Sequence, residues 1–407
     1  MSKPRLEVIA GGYKATWHDE GIMATAERIK SDGRGTHADI GIFYRYEQEY
    51  SIIHQAIMTL TSTNSRGTVA KRLAKQVAEV DWDNILDALC ILVLHEDRQG
   101  EPVEELWGHD ISPPDYLLYP LIPLHQPTII FGDGGVGKSY FVLLLALCMA
   151  LPWKDNPLRI KTKDDTTPVL FLDWETDKPT LEWRIKCLRD GLGLPEISIF
   201  YRRCIQSLPE DLAEIQKVVI EKKIGCVIVD SIGIACGGDL NAPDVASRFI
   251  QRHLRQLNVT SICVGHTSKD QLRDKTIFGS AFWKNAARSV WEVRKQQEVG
   301  ENMLQIGLYH RKANDSQLHS PLGFSLLFED KAVCIKPTDL RAIPELSSGL
   351  PMKERIAEGL RHRSMTTQNL AEELETTEGS IRACLNRHKE LFIRLNNGEW
   401  GLREHGN

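Results

Sequence analysis

The sequence predicts an α/β protein built around a mostly parallel sheet, with a small α+β domain before it and a winged helix after it. Three observations carry this. From Thr128 onward, short apolar runs alternate with amphipathic stretches, and the runs are nearly continuous in hydrophobicity, as strands covered on both faces are. Residues 1–110 mix strand-like and helix-like patterns, and residues 351–404 turn helical before ending in a hairpin signature. With 407 residues, 42% of them hydrophobic, the chain is long enough for two or three such domains.

The first domain opens with "RLEVIAGGYKATW", whose Gly11-Gly12 can supply the positive φ of a tight turn, and continues with a β-like run "DIGIFYRY" at 39–46. Apolar residues at spacings of three and four then predict helices in "SIIHQAIMTLTS", "TVAKRLAKQVAEV" and "WDNILDALCILVLHED". No chemical motif lies here. Pro102, Pro113, Pro114, Pro120 and Pro123 predict irregular chain, with a linker over 111–127. The α/β domain follows over 128–340, with strands in "TIIFG", "PVLFLDWE", "ISIFYRRC", "CVIVDS", "TSICVGH", "RSVWEVR", "MLQIGLYHR" and "GFSLLFED", and helices at 180–190 and 209–222. In the last domain, 351–404, one helix is expected over 368–374 and a second from a short turn to about Lys389. "FIRLNNGEWGL" then makes a wing around Asn397-Gly398. Leu370, Leu374, Ile381 and Leu385 are its expected core.

Composition narrows the function classes. No apolar run reaches the roughly 20 residues of a membrane span, and "MSKPRLEV" lacks the apolar core of a signal peptide, so a cytoplasmic address without membrane partners is expected. The nine cysteines include no C-x-x-C, and the closest pair, Cys226 and Cys236, are ten positions apart, which predicts neither a zinc site nor a disulfide framework. A net charge of −5 gives no global attraction to nucleic acid; such binding has to come from local basic loops.

The strongest motif is "FGDGGVGKSY". Gly132, Asp133, Gly134, Gly135, Val136, Gly137, Lys138, Ser139 and Tyr140 follow a strand and open an apolar helix, which satisfies G-x-x-x-x-G-K-[ST] in the right context. Glycines let backbone N–H groups wrap phosphates, and the following helix presents its positive end to the same anion. Lys138 is expected against the β and γ phosphates of ATP, and the Ser139 hydroxyl on Mg²⁺. A second carboxylate on the metal side is expected at the tip of a buried strand, where "GCVIVDS" supplies Asp230. In "VLFLDWETDKP" an apolar run ends in three acids. Glu175 is the candidate to orient the attacking water, Asp173 is the alternative, and Asp177 begins the next helix.

The ordered set "GDGGVGKS", "LFLDWE", "VIVDS", "VGHTSK" and "GSAFWKNAARSVW" resembles the RecA-like P-loop ATPases, and among them the plasmid RepA-type hexameric helicases and their AAA-family relatives. The resemblance covers about residues 120–335. It implies a RecA-like NTPase core and water activation at Glu175, with His266 sensing the γ phosphate and relaying its loss to a DNA-facing loop. It also implies a ring, with the loops after Asp230 and His266 facing its channel. The second loop carries Lys269, Arg273 and Lys275, spaced to meet phosphates, although Asp270 and Asp274 also make it an ordinary charged loop. Hydrolysis in such rings draws a cation from the neighbouring subunit. Related helicases use K-x-R on a late strand, whereas "LYHRKAND" gives K-x-N, so Lys312 and Arg311 are both candidates, with Arg288 a third.

If the second helix of the C-terminal domain enters a major groove, Arg382, Asn386 and Lys389 share its outer face. Residues 351–407 hold nine Lys/Arg and nine Asp/Glu, so docking to a protein partner is the competing expectation. The leading functional expectation is an ATP-driven, RepA-like helicase on single-stranded DNA. The alternatives are an ATP-switched DNA-binding factor without unwinding activity, and a regulatory ATPase whose winged helix docks a protein.

Overall fold

A computed structural model describes residues 2–99, 103–106, 113–267, 277–279 and 281–403. In chain order it has β1 (Arg5–Ile9), β2 (Gly12–Trp17), β3 (Ile22–Asp32), β4 (Gly35–Tyr46), β5 (Glu49–Thr59), α1 (Thr63–Ala74) and α2 (Trp82–Gln99). Next come β6 (Tyr116–Tyr119), β7 (Ile122–Pro123), β8 (Pro127–Gly132), α3 (Lys138–Ala150), β9 (Lys161–Thr162), β10 (Val169–Asp173) and α4 (Lys178–Leu192). β11 (Phe200–Arg203), α5 (Leu208–Glu221), β12 (Cys226–Asp230), α6 (Ile232–Ala235), α7 (Pro243–Arg248) and β13 (Thr260–His266) follow. The chain continues through α8 (Phe282–Ala286), β14 (Ser289–Gln296), β15 (Met303–Ala313), β16 (Leu322–Phe328) and β17 (Val333–Pro337). It ends in α9 (Pro344–Ser347), α10 (Met352–Gly359), α11 (Thr367–Glu373), α12 (Glu378–Arg387), β18 (Phe392–Arg394) and β19 (Trp400–Leu402).

Two compact units result. The first comprises Met1–Pro113, Ile205–Ile224 and Arg252–Asn258, so α5 groups with the N-terminal segment and not with the strands that flank it in sequence. Its β1 to β5 form an antiparallel meander over a core that includes Trp17, Ile40, Ile42, Leu73 and Trp82. Gly11 turns at φ +77 and lies so close to α5 that a Cβ there would fall 2.3 Å from that of Ala213. Lys217 of the same helix pairs with Glu27 at 2.9 Å. Residues 51–62, expected as a helix, instead form most of β5, paired along β4 from Tyr46↔Glu49 to His37↔Thr59. The buried side chains His54 and Met58 are four apart, a spacing a helix and a strand share, and the β-branched Ile52, Ile53 and Ile57 favour the strand.

The second unit holds a nine-stranded sheet in the order β11-β10-β12-β13-β8-β14-β15-β16-β17. The first six strands pair in parallel and the last three antiparallel, the mostly parallel α/β sheet that continuous apolar runs imply. α3 is buried from Phe141 to Met149, so it has no polar face and packs as a central helix in the same apolar core as β8, β10 and β12. The segment expected as irregular linker is partly ordered: β6 pairs with β7 and β9, its prolines sitting at strand ends and turns. The C-terminal elements have a separate small core of Ile356, Leu360, Leu370, Ile381, Leu385 and Phe392, with Leu374 only half-buried. α10, not anticipated, contributes Ile356 to it. β18 and β19 form the expected hairpin, with Gly398 at φ +87 in its turn. α12 stops at Arg387, short of Lys389, which therefore lies beyond the helix face on which it was expected.

Candidate active site

Sheet register brings the motif residues together. Asp173 at the end of β10 lies beside Asp230 at the end of β12, His266 at the end of β13 lies beside Gly132 at the end of β8, and Gly132 also lies beside Val293 of β14. The carboxyl ends of parallel strands share one crevice, and here four carry polar or loop-forming residues into it.

The 132–139 loop needs its glycines. Gly135 and Gly137 have φ of +69 and +82, and a Cβ at Gly132 would come within 2.4 Å of the Val293 carbonyl. Gly134 has open space where a side chain would stand. The loop ends at the N-terminus of α3, and a helix N-terminus carries unpaired amides and a partial positive charge suited to an anion. Buried Lys138 donates to the carbonyls of Gly132 at 2.9 Å and Asp133 at 2.7 Å, and burial lowers its pKa. The hydroxyl of Thr267 donates to the Asp133 carboxylate, tying the loop to the residue after β13. Tyr140 packs edge-on to Phe328 at 5.3 Å, with the Arg184 guanidinium 5.6 Å above its ring.

Ser139 Oγ donates to Asp230 Oδ2 at 3.2 Å. Asp230 is 5% exposed, and burial, reinforced by the nearby negative charge of Glu175, pushes its pKa up to about 6. A hydroxyl and a carboxylate side by side are hard oxygen donors, and the unfavourable charge on Asp230 is one that a divalent cation would neutralise; the pair fits Mg²⁺. Among the described residues there is no cluster of three or more His, Cys, Asp or Glu suited to a metal, so the protein's share of such a site rests on these two oxygens.

The three acids after β10 have different partners. Asp173, 1% exposed, accepts from the amides of Glu175 at 2.9 Å and Thr176 at 2.8 Å, from Thr176 Oγ1 at 3.0 Å and from the Tyr201 hydroxyl at 3.0 Å. It shapes the turn and has little accepting capacity left for a water. Asp177 caps α4 by accepting from the Thr180 amide at 2.8 Å. Glu175, exposed at the surface of the crevice, accepts from the Ser231 hydroxyl and lies 3.3 Å from His266 Nε2. The His266 bond, then the Ser231 bond, outweigh its partial burial and hold its pKa down at about 2. Ser231 was missed in the sequence, although it directly follows Asp230 in the motif.

Two of the three finger candidates, Arg311 and Lys312, are occupied within the chain. Arg311 binds Glu292 through Nε at 2.7 Å and Nη2 at 2.6 Å. Lys312 donates to the carbonyls of Asn285 at 2.6 Å and Ala287 at 2.7 Å. Lys269, Arg273 and Lys275 lie outside the described residues, but Thr267 and Ile277 pair in an antiparallel bridge that brackets their segment. Arg382, exposed on α12, is held by Glu378 at 2.5 Å; Lys389 is exposed beyond the helix. Among the described residues no helix is long and apolar enough to cross a membrane.

Residues 96–272, under half of the chain, match the family model described as AAA domain. No curated protein matches. Among solved structures the chain is similar to a KaiC-like protein from the hyperthermophilic archaeon Pyrococcus horikoshii OT3, at 17% identity over 58% of this chain and 100% of that one, with a TM-score of 0.37. The matched segment contains the phosphate loop, Glu175, Asp230 and His266, and the chain carries there a P-loop ATPase domain.

Proposed function

We propose that the protein is an ATP-hydrolysing motor acting on single-stranded DNA, of the replicative-helicase kind. The observation that carries this reading is the contact of Glu175 with His266, the residue that ends β13 and leads into the segment bracketed by Thr267 and Ile277. The group proposed to handle the attacking water is thereby bonded to the residue after which the segment containing Lys269, Arg273 and Lys275 begins. A change at the γ phosphate has a one-bond route to His266 at the head of that segment.

In this reading Gly134 to Ser139 wrap the phosphates with backbone amides, Lys138 leaves its loop carbonyls for phosphate oxygens, and Ser139 and Asp230 hold Mg²⁺, which neutralises charge on the phosphates when bound. Glu175 remains ionised at neutral pH. A carboxylate with a pKa of about 2 is a weak base but a good acceptor, so it orients water; a loose phosphoryl-transfer transition state asks for little more. The phosphate-bound chains assemble into a homo-oligomeric ring. The helices and hairpin at 352–402 act as a winged helix. That segment has a net charge near zero and its Arg382 is neutralised by Glu378, which favours a protein partner over duplex DNA for this part of the chain.

The test is the ATPase rate with and without single-stranded DNA, for wild type and Glu175→Gln. The expected result is DNA stimulation of the wild type and a loss of about a hundredfold or more in the variant. Normal turnover by Glu175→Gln removes the assignment of the water-orienting group. A DNA-insensitive wild type removes the motor, and stimulation without strand separation leaves the ATP-switched binding factor.

A further inference from the structure

We propose that Lys295 supplies a second cation to the phosphates from within the same chain, and so takes in cis part of the charge neutralisation otherwise sought from a neighbouring subunit. The inference rests on the ATPase reading above. β14 runs parallel to β8, and Val293 sits opposite Gly132, the last residue of β8. Two residues later, where β8 has given way to the phosphate loop, Lys295 reaches over that loop and donates to the Gly135 carbonyl at 3.2 Å. A Cβ built on Gly135 would lie 3.8 Å from its ammonium, and the adjoining Gly134 borders open space. The ammonium therefore stands at the rim of the cradle, while Lys138 lies buried inside it.

The base of this side chain is fixed. Lys295 pairs with Ile306 of β15, and the strand is anchored three residues earlier by buried Glu292. Its head is exposed, and its bond to a neutral carbonyl is readily exchanged for a stronger, charge-assisted bond to a phosphate oxygen. Arg311 and Lys312 would have to break short, partly buried bonds before serving another chain. Cations that stabilise phosphoryl transfer are known to come from the same chain as well as from a neighbour.

The experiment compares full-length wild type with Lys295→Ala and Lys295→Arg in steady-state ATP hydrolysis, in binding of ADP and of ADP with aluminium fluoride, and in mixtures of Lys295→Ala with Glu175→Gln chains. Expected are a fall in kcat of about tenfold to a hundredfold for Lys295→Ala, with most of it recovered by Lys295→Arg. ADP affinity should change by less than about threefold while the aluminium fluoride complex weakens in step with kcat, a pattern that a merely structural role would not give. The mixture should stay inactive, because each chain lacks a group it must supply itself. Wild-type turnover by Lys295→Ala overturns the inference and leaves the ATPase reading standing, as does recovery of activity in the mixture, which would move the lysine's action to a neighbour. A wild type that hydrolyses no ATP overturns both.

Discussion

Two buried acids in the same sheet, Asp230 at the end of β12 and Glu292 within β14, meet opposite fates. Glu292 is 1% exposed and accepts from both Arg294, at 2.7 Å, and Arg311, at 2.6 Å. The two guanidiniums also flank the Tyr309 ring, at 5.2 and 5.0 Å, so the charge is answered from both sides and the side chains are locked. Asp230 has a single hydroxyl partner, and burial, followed by the like charges of Glu175 and Asp173, raises its pKa. Burial of an acid does not by itself mark chemistry; what marks it is whether the chain supplies the opposite charge. Glu292 is complete, whereas under the proposed function Asp230 would meet its opposite charge in a cation brought with the nucleotide.

The largest effect expected from this contrast is on Glu292. Glu292→Gln leaves two arginines facing each other across a neutral amide and should cost about 3 kcal/mol in a urea unfolding experiment. An unchanged midpoint would mean the cluster is not the anchor its geometry makes it. Asp230→Asn should do the reverse. Its carboxyl has a higher pKa folded than unfolded, so the native state binds more protons, and stability falls as pH rises from about 4 through about 6. Without nucleotide or Mg²⁺, the variant should be more stable than wild type at pH 7.5 by on the order of 2 kcal/mol, with the gap closing below about pH 4. A gap independent of pH would attribute the gain to packing. The smallest effect should come from Arg311→Ala, about 1 to 2 kcal/mol, since Arg294 still answers Glu292. It sharpens the comparison most directly: a structural partner loses stability and keeps turnover within a few-fold, whereas a finger keeps stability and loses turnover.

Much of this was legible beforehand because it depends on local pattern. The phosphate loop could be read because its amide cradle is continuous in sequence, and the inner strands because burial on both faces leaves an unbroken apolar run. Asp230 was found by the same route, as an acid where such a run stops. The helix expected at 51–62 failed because inward residues four apart satisfy both periods, and only pairing with β4 decides between them.

The choice among the acids of "VLFLDWETDKP" was not local. Sequence spacing could name Glu175 and Asp173 together, but the amides and hydroxyls that consume Asp173, and the Ser231 and His266 side chains that meet Glu175, come from β11, from the residue after β12 and from β13 as well as the adjoining turn. Lys295 left no signal at all, since its place over Gly135 follows from β14 lying beside β8. The sequence by itself determined where a glycine-rich loop would open onto a helix and on which strand ends the acids would stand, because backbone conformation and burial are written residue by residue. Only the tertiary structure decided which charges are already paired and which are left to meet a ligand, because pairing is a property of neighbours that the chain brings together from far apart.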